Sequence, residues 1–354
     1  MADIKVVKEF TARGIHYEMQ KMRQNGEDIV LAEFLPIYFE KEYTPSEFYA
    51  DLNVDLNRMT VQKMIVTDND SRWLFPEIFR DAIRKGLEYA PFYSKIVTGN
   101  ETIENTGLTM PYFNQAEAGL RTTNEGATIT EGTMTWGSKQ VTISKRARGL
   151  KQTYESIMFC PINLARIYFE DLGILLGAQL DADLIDVLIN GDQADGSEAA
   201  TLMGAVTPAT LAYSDIVRVW VRGNRLNRPF STMITNEEDA VTILNMSAFQ
   251  MPVRGLGSPL TSLNLQSPLP SSQNLFVHSD VPSSQVIFVD TSKAIIQLTA
   301  MPLLLETEVI VSTQWRGEYA SIITGFANIF SDARVILDYS LNITAEPGPT
   351  VPLG

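Results

Sequence analysis

Residues that commonly carry out chemistry are scarce in this chain. It has two histidines, His16 and His278, and one cysteine, Cys160, among 354 residues. Structural zinc usually needs four Cys or His ligands and catalytic zinc needs three protein ligands, so these residues cannot build a zinc site. His278-Ser279-Asp280 contains the residue types of a nucleophilic relay, but such relays join separated chain segments rather than neighbours. We therefore interpret His278 as a turn histidine and His16 as an isolated one, and we expect no enzymatic activity.

Two short motifs resemble ligand sites only superficially. Residues 192–198 are rich in acidic and small residues, as in a calcium loop, but their later ligand positions do not follow the helix-loop-helix pattern. We interpret them as an exposed acidic turn. Residues 255–259 are a glycine cluster without the strand and helix that a phosphate-binding loop requires. We expect neither a metal ion nor a cofactor.

Charged residues are distributed in a way that suggests contacts between copies of the chain. The stretch 132–154 has no acidic residue and five basic ones, Lys139, Lys145, Arg146, Arg148 and Lys151. The segment that follows is acidic after Arg166, with Glu170, Asp171, Asp181, Asp183 and Asp186. The basic segment of one copy is expected to attract the acidic segment of another copy. The alternative is that both are solvated faces, since an exposed ion pair contributes only about 0 to 1 kcal/mol.

A third group of charges consists of arginines. Arg218, Arg222, Arg225 and Arg228 recur at spacings of four, three and three, which places most of them on one helical stripe. A subunit contact or a solvated face is favoured over nucleic-acid readout. The net charge of −14 also disfavours a broad grip on nucleic acid, because such affinity comes from many Lys and Arg that neutralise phosphates. Any contact with DNA is expected to be weak.

The secondary structure of the basic segment and of the acidic segment can be predicted. Residues 107–153 are rich in Thr, Gly and alternating apolar residues, which is typical of a long β-hairpin with a projecting tip. Residues 161–190 have apolar side chains every three or four positions, begin with Pro and end before Gly191, so they predict a helix of about 45 Å. Residues 76–89 predict a shorter amphipathic helix.

The segments before and after these elements differ in composition. Residues 1–72 contain clustered aromatic side chains without a helical period, which predicts an extended arm with short helical pieces. Such an arm must bury its apolar groups on its own subunit or on a neighbour, and a peripheral subdomain packed on its own core is an equal alternative. Residues 201–311 predict a mixed α/β unit. Its helices are expected at 214–226 and after 236–238, and its strands at 231–235, 286–290 and 294–298. The end of the chain is expected to return to strands at 306–313, 320–324 and 334–337.

The composition is that of a globular chain outside the membrane. Hydrophobic residues make up 45% and charged residues 20% of it. A single cysteine cannot form an internal disulfide, and the first residues do not resemble a signal peptide, so we expect a reducing cytosol. The richest apolar stretch, residues 172–189, is interrupted by three aspartates and is not expected to span a membrane.

The order of these parts resembles that of the major capsid proteins of tailed bacteriophages, the Hong Kong 97-like fold family. The resemblance runs from about residue 75 to residue 339. The segments that carry it are residues 108–113 before the hairpin, residues 122–127 at its tip, residues 136–144 with 154–156 after it, and residues 181–192 at the end of the long helix. No single motif is decisive, but four parts in the same order agree.

The resemblance implies an α+β fold and a division of the chain. It implies an N-terminal arm (1–72), a peripheral domain with a first helix (73–106) and a spine helix (154–200), an extended loop (107–153), an axial α/β domain (201–311), and peripheral return strands with a tail (312–354). It also implies a structural protein that self-assembles into pentamers and hexamers of an icosahedral head around double-stranded DNA, in the virion after assembly in the host cytoplasm.

The resemblance also implies partners. Well-known members begin with a long scaffolding segment that is removed, whereas residues 1–72 are short, so a separate scaffolding protein or a working arm is implied, along with portal and possible decoration proteins. Some relatives link the loop to a neighbour through a Lys–Asn bond, for which Lys139 or Lys145 with Asn328 or Asn342 are candidates that no spacing selects. An encapsulin-like compartment shell holding an enzyme cargo is the main alternative. A soluble α/β hydrolase or transferase is a third, although no nucleophile elbow or phosphate loop occurs.

Overall fold

A computed structural model of the chain describes residues 11–24, 29–52, 54–56, 58–66, 73–89, 91–104, 107–113, 134–192, 199–246 and 274–349. The chain divides into two compact units. Unit 1 comprises Met1–Pro91, Lys145–Gln179 and Met301–Ile323. Unit 2 comprises Phe92–Ser144, Leu180–Ala300 and Thr324–Gly354. The tip of the predicted hairpin, the acidic turn at 193–198 and the glycine cluster at 255–259 lie outside the described residues.

The described part of the chain begins with a series of helices. These are α1 (Ala12–Gln24), α2 (Leu31–Phe39), α3 (Pro45–Asp51), α4 (Val61–Val66), α5 (Phe75–Tyr89) and α6 (Tyr93–Ile96). Local sequence explains where α3 starts, because Pro45 occupies its first turn and the hydroxyl of Thr44 accepts a hydrogen bond from the backbone N–H of Glu47. The carboxylate of Glu47 bonds back to the N–H of Thr44 at 2.9 Å. Helix α5 confirms the helix predicted over residues 76–89.

The prediction of an extended N-terminal arm was wrong for the described residues. Helices α1 to α4 bury their apolar side chains in the core of unit 1, among them Ile15, Phe34 and Phe48, together with Phe79 of α5. Two backbone hydrogen bonds join the start of α4 to the chain near Cys160: the N–H of Val61 donates to the carbonyl of Cys160, and the N–H of Ile162 donates to the carbonyl of Met59. The physical reason is that the clustered aromatic side chains stack on one another and on α5. The alternative of a subdomain packed on its own core describes this segment.

Two helices follow the third and fourth strands. They are α7 (Tyr154–Phe159) and α8 (Ile162–Asn190), and α8 confirms the long helix predicted over residues 161–190. Helix α8 ends where Gly191 takes a positive φ of 86° and its N–H bonds the carbonyl of Val187 at 3.0 Å. Within unit 1, α5 and α8 cross closely. A β-carbon at Gly86 would collide with the Glu170 carbonyl, and one at Gly173 would collide with the Ile83 carbonyl.

Unit 2 contains a five-stranded sheet in the order β5-β11-β8-β6-β7. Its members are β5 (Thr201–Ala205), β6 (Thr232–Thr235), β7 (Asn274–Val277), β8 (Gln285–Val289) and β11 (Arg334–Asn342). Helices α9 (Tyr213–Arg225) and α10 (Glu237–Leu244) pack on one face, since Ile216, Val219 and Ile243 share a buried core with Met233 and Phe288. Four of these strands and both helices lie within residues 201–311, the range predicted for a mixed α/β unit.

The remaining strands form two smaller sheets. β1 (Asn100–Thr102), β9 (Ile295–Ile310), β10 (Trp315–Asn328) and β4 (Ser144–Thr153) make a four-stranded sheet in that order, with β1 and β9 parallel. β2 (Gly107–Phe113) and β3 (Met134–Thr142) form an antiparallel pair with a register shift at Pro111. Proline lacks the N–H that a regular ladder needs, which accounts for the shift.

The observed strand pairing disagrees with two of the predicted segment boundaries. Residues 107–153 do not form one hairpin, because only β2 and β3 pair while β4 joins the four-stranded sheet beside β10. The α/β domain does not end at residue 311, because β11 lies inside the five-stranded sheet, parallel to β5 and antiparallel to β8. Both differences concern long-range strand pairing, which residue type and period do not specify.

Candidate functional site

The basic residues predicted on the hairpin lie on a strand at the edge of a sheet. Lys145, Arg148 and Lys151 are exposed along β4, and Arg146 is half-buried. Because β4 is the last strand of the four-stranded sheet, its outer edge carries no partner strand within the part of the chain described here. Basic side chains on such an edge discourage non-specific strand pairing and leave a positive surface. Lys139 lies on β3, and its side chain is outside the described residues.

The acidic residues predicted on α8 do not form one stripe. At 3.6 residues per turn they spread over more than about half of the helix circumference. Glu170 is half-buried and pairs with Lys85 of α5, with 2.9 Å between Nζ and Oε1. Asp183 is half-buried, whereas Asp171 and Asp186 are exposed, and Asp186 accepts a 2.7 Å hydrogen bond from Asn190. The prediction of an acidic stripe was therefore wrong in its geometry.

Asp181 is a further correction, because it faces the interior of unit 2. It is 4% exposed, and its carboxylate accepts hydrogen bonds from the backbone N–H groups of Phe92 and Tyr93 at the start of α6, the shortest being 2.8 Å from Tyr93. Burial raises the pKa of Asp181 to about 6, although the two N–H bonds act in the opposite direction. This carboxylate orders the chain before α6 and cannot reach another copy.

An exposed apolar surface on α7 and α8 was not anticipated from the sequence. Phe159 is 77% exposed, Ile167 55% and Tyr168 56%, and Met158, Leu164 and Leu175 are also exposed. On α8 the positions 164, 167, 168, 171 and 175 share one side, about 110° around the helix axis from the buried positions 165, 169, 172 and 176. We call Met158, Phe159, Leu164, Ile167, Tyr168 and Leu175 the outer apolar surface, and Asp171 lies within it. The sequence contained a signal for this surface. In the first half of α8, apolar residues recur at helical spacing on a second side of the helix, and few polar residues lie between them.

The predicted arginine stripe is only partly realised on α9. Arg218 and Arg225 are exposed, and Arg218 lies 3.8 Å from the buried Asp215. Arg222 is half-buried. Arg228 lies beyond the end of α9, where its Nε pairs with Asp332 at 3.0 Å and its guanidinium lies over the ring of Phe330. The helix ends before the fourth arginine, which removes that residue from the stripe.

His16 is not isolated, contrary to the prediction. Its Nδ1 lies 2.8 Å from Oε1 of Glu77, and Arg23 donates to both oxygens of the same carboxylate, which is buried. Burial by itself raises the pKa of Glu77, but the hydrogen bonds from His16 and Arg23 and the charge of Arg23 outweigh it and lower that pKa to about 2. The cluster joins α1 to α5 and lines a cavity of about 450 Å³ together with Arg80 and β9.

The other polar candidates form local structure. The N–H of Asp280 donates to Nδ1 of His278 at 3.2 Å, and Ser279 donates to Asp280 rather than to the histidine, so the three residues make a turn. Asn328, a cross-linking candidate, is buried in unit 2, whereas Asn342 is exposed. In the described ranges no three His, Cys, Asp or Glu side chains are grouped to hold a metal ion. No helix among the described residues is long and apolar enough to cross a membrane.

Comparison with known proteins gives matches in structure only. No family model matches the sequence, and no curated protein matches it. The capsid of an empty GTA particle computed with C5 symmetry is 14% identical, with a TM-score of 0.51 over 70% of this chain and 89% of that chain. The structure of Mycobacterium phage Che8 is 10% identical, with a TM-score of 0.50 over 66% of this chain and 85% of that chain.

A third match is weaker. The holo-SrpI encapsulin complex from Synechococcus elongatus is 9% identical, with a TM-score of 0.47 over 73% of this chain and 90% of that chain, and it carries no argument. At these identities the likeness concerns the fold alone. The resemblance inferred from the sequence is confirmed at that level, since the chain has the mixed α+β architecture of the Hong Kong 97-like fold.

Proposed function

We propose that this chain is the major capsid protein of a tailed bacteriophage, a structural subunit that self-assembles into the pentamers and hexamers of an icosahedral head around double-stranded DNA. Its role is mechanical rather than enzymatic. The fold supports this proposal, and the outer apolar surface on α7 and α8 is the observation that carries it. A soluble monomer rarely leaves a contiguous row of large apolar side chains in water, whereas a subunit that functions inside an assembly buries them on its neighbours.

The outer apolar surface is large enough to matter energetically. Fully burying one large apolar side chain is worth about 1.5 to 3 kcal/mol. Covering Phe159, Ile167 and Tyr168, each at least half exposed, therefore contributes about 3 kcal/mol per copy before the cost of association. Each subunit of a closed shell has several neighbours, so moderate contacts add up to a stable particle without any one of them being strong.

Opposite charges align the two copies in the contact that the outer apolar surface makes. The exposed Lys145, Arg148 and Lys151 of one copy have an acidic counterpart in Asp171, which lies among the apolar side chains of another copy's α8. Rim charges of this kind add little affinity but penalise wrong orientations. The net charge of −14 suits a wall around DNA, because a strongly basic lining would bind phosphates and hinder packaging.

The proposal includes the partners that such a shell requires. A scaffolding protein would guide curvature, a portal would occupy one vertex, and decoration proteins would bind the outer face. Assembly takes place in the host cytoplasm, and the finished location is the virion.

The test is to express the chain, purify it and image the product by negative stain and cryo-electron microscopy. We expect closed particles or sheets of hexamers, and we expect particles recovered from an infected host to contain DNA. Particles that contain a co-purifying enzyme instead of nucleic acid would favour the encapsulin-like compartment. A folded chain that forms no ordered assembly, alone or with host lysate, would contradict the proposal.

A further inference from the structure

Two helices of unit 2 present outward faces of opposite charge. Helices α9 and α10 lie on the same face of the five-stranded sheet and bury Ile216, Val219 and Ile243 in one core. Their other sides are in solvent. On α9 the exposed positions 214, 218, 221 and 225 follow one line, and on α10 the exposed positions 237, 238, 241 and 242 cover one broad side of the helix.

The outward face of α9 is basic with an apolar centre. Arg218 and Arg225 lie one helical turn to either side of Val221, which is 53% exposed. Arg225 forms no ion pair with any described residue, and the Arg218 side chain remains 46% exposed beside its 3.8 Å contact with Asp215. We call Arg218, Val221 and Arg225 the basic face.

The outward face of α10 is acidic, opposite in charge to the basic face, and it also contains an exposed valine. Glu237 and Glu238 are exposed in the first turn, and Val241, one turn later, is 58% exposed. Neither glutamate makes an ion pair within the described ranges. Asn236 already caps the helix by accepting from the N–H of Asp239, so the two glutamates are not needed as caps. We call Glu237, Glu238 and Val241 the acidic face.

We propose that the basic face of one copy docks on the acidic face of the next copy, with Val221 against Val241 at the centre of the contact. The occupant is a second copy because each chain carries both halves of a complementary pair, of which only Arg218 has an ion pair among the described residues, with Asp215. A contact between two different surfaces is heterologous and runs head to tail, and it forms a ring when the rotation from copy to copy closes, as it does in a pentamer or hexamer. This inference rests on the proposed function and names the surfaces that hold a pentamer or hexamer together.

Charge reversal gives a test whose outcome depends on ring size. An acidic variant, Arg218→Gln/Arg225→Glu, has two acidic faces, and a basic variant, Glu237→Lys/Glu238→Lys, has two basic faces. Each alone is expected to form rings and particles at least about ten-fold less well than the wild type by sedimentation velocity, because like charges then meet in every contact. A single chain with all four changes is expected to regain rings of both sizes.

Mixing the two variants is the sharpest part of the test. Acidic and basic copies can alternate around a ring with an even number of positions but not around one with an odd number. Equal amounts are therefore expected to form hexamers, and sheets or tubes of hexamers, without the five-fold vertices of a closed shell. Electron microscopy distinguishes these products.

The controls separate this inference from the proposed function. Lys21→Glu makes a matched charge reversal in the last turn of α1 and is expected to assemble normally. Circular dichroism melting of every variant checks that the monomer still folds. If the wild type assembles and both reversed variants assemble equally well, the docking of α9 on α10 is wrong while the proposed function stands. If the reversed variants assemble normally but lose bound DNA, the basic face is a nucleic-acid surface and the inference is overturned.

Discussion

Two carboxylates one turn apart on α5 respond to burial in opposite ways. Glu77 receives hydrogen bonds from His16 and Arg23, and its pKa falls to about 2. Asp81 is half-buried, and its carboxylate accepts a long hydrogen bond of 3.5 Å from the N–H of Leu31. Burial, and then the negative charge of Glu77, raise the pKa of Asp81 to about 7. The partners of Glu77 lie 61 and 54 positions away in the chain, so the sequence placed it only in the first turn of a helix.

Replacing Glu77 should loosen the attachment of α1. In Glu77→Gln the half-buried guanidinium of Arg23 loses its counter-charge, and the free energy of unfolding is expected to fall by about 3 kcal/mol. Chemical denaturation measures the loss, and faster amide exchange in α1 locates it. The control is Glu88→Gln on the same helix, whose exposed pair with Arg84 contributes at most about 0.5 kcal/mol. Equal effects from both variants would show that the Glu77 cluster does not hold α1.

Asp81 should make stability depend on pH near neutrality. Between about pH 4 and pH 7 the folded chain holds a proton on Asp81 that the unfolded chain has released, so this group's contribution to stability is lost as the pH rises to about 7. Glu77 acts in the opposite sense at lower pH, since its contribution is lost as the pH falls from about 4.5 towards 2.

The Asp81→Asn variant isolates the first effect. Asparagine keeps an oxygen for the Leu31 N–H and carries no charge, so the variant is expected to be more stable than the wild type at pH 8 and nearly equal to it at pH 4. Thermal unfolding across this range measures the difference. A difference that does not change with pH would contradict the raised pKa.

Helices α5 and α8 were both predicted from the spacing of their apolar residues, but their crossing was not. The close approach depends on Gly86 and Gly173, where a β-carbon would meet the backbone of the facing helix. Nothing in either segment alone indicates which glycine meets which backbone. The same limit applies to β4 and β11, whose strand character was predicted but whose partners were not, because pairing joins distant parts of the chain.

Adding a methyl group at the crossing should force the two helices apart. Gly173→Ala is expected to lower the free energy of unfolding by about 2 to 3 kcal/mol, since overpacking a tight contact outweighs the better helix propensity of alanine. Gly99→Ala is the control, because a β-carbon there meets nothing within 4 Å. Urea denaturation measures both variants. A Gly173→Ala variant as stable as the wild type would show that the crossing can widen freely.

The basic edge of β4 should matter for assembly rather than for folding. Arg148→Glu/Lys151→Glu is expected to keep the wild-type melting temperature and to reduce particle yield several-fold, because the exposed side chains guide a neighbour and hold little of their own unit in place. Sedimentation velocity measures the yield. Arg58→Glu, at a position 91% exposed, is the matched control and should assemble normally. Normal assembly of the β4 variant would remove this strand from the contact.

The order of parts along the molecule could be predicted because it rests on local signals. The spacing of apolar residues marked α5 and α8, and strands were predicted where β6, β8 and β11 lie, whereas β5 and β7 were not predicted. The N-terminal segment was misjudged because its aromatic residues have no period of their own and are organised by α5. The outer apolar surface was missed because exposure depends on which side of α8 is already occupied, and that follows from packing.

The central claim is that the outer apolar surface is open in the single chain and covered by another copy in the assembly. Cys160 is the only cysteine in the sequence, so Cys160→Ser/Tyr168→Cys carries one thiol at the middle of that surface. The measurement is the rate of maleimide labelling of this variant before and after assembly. We expect rapid labelling of the unassembled chain and a rate at least about ten-fold lower in purified particles, as burial at an interface requires. Equal labelling rates in the two states would contradict the account.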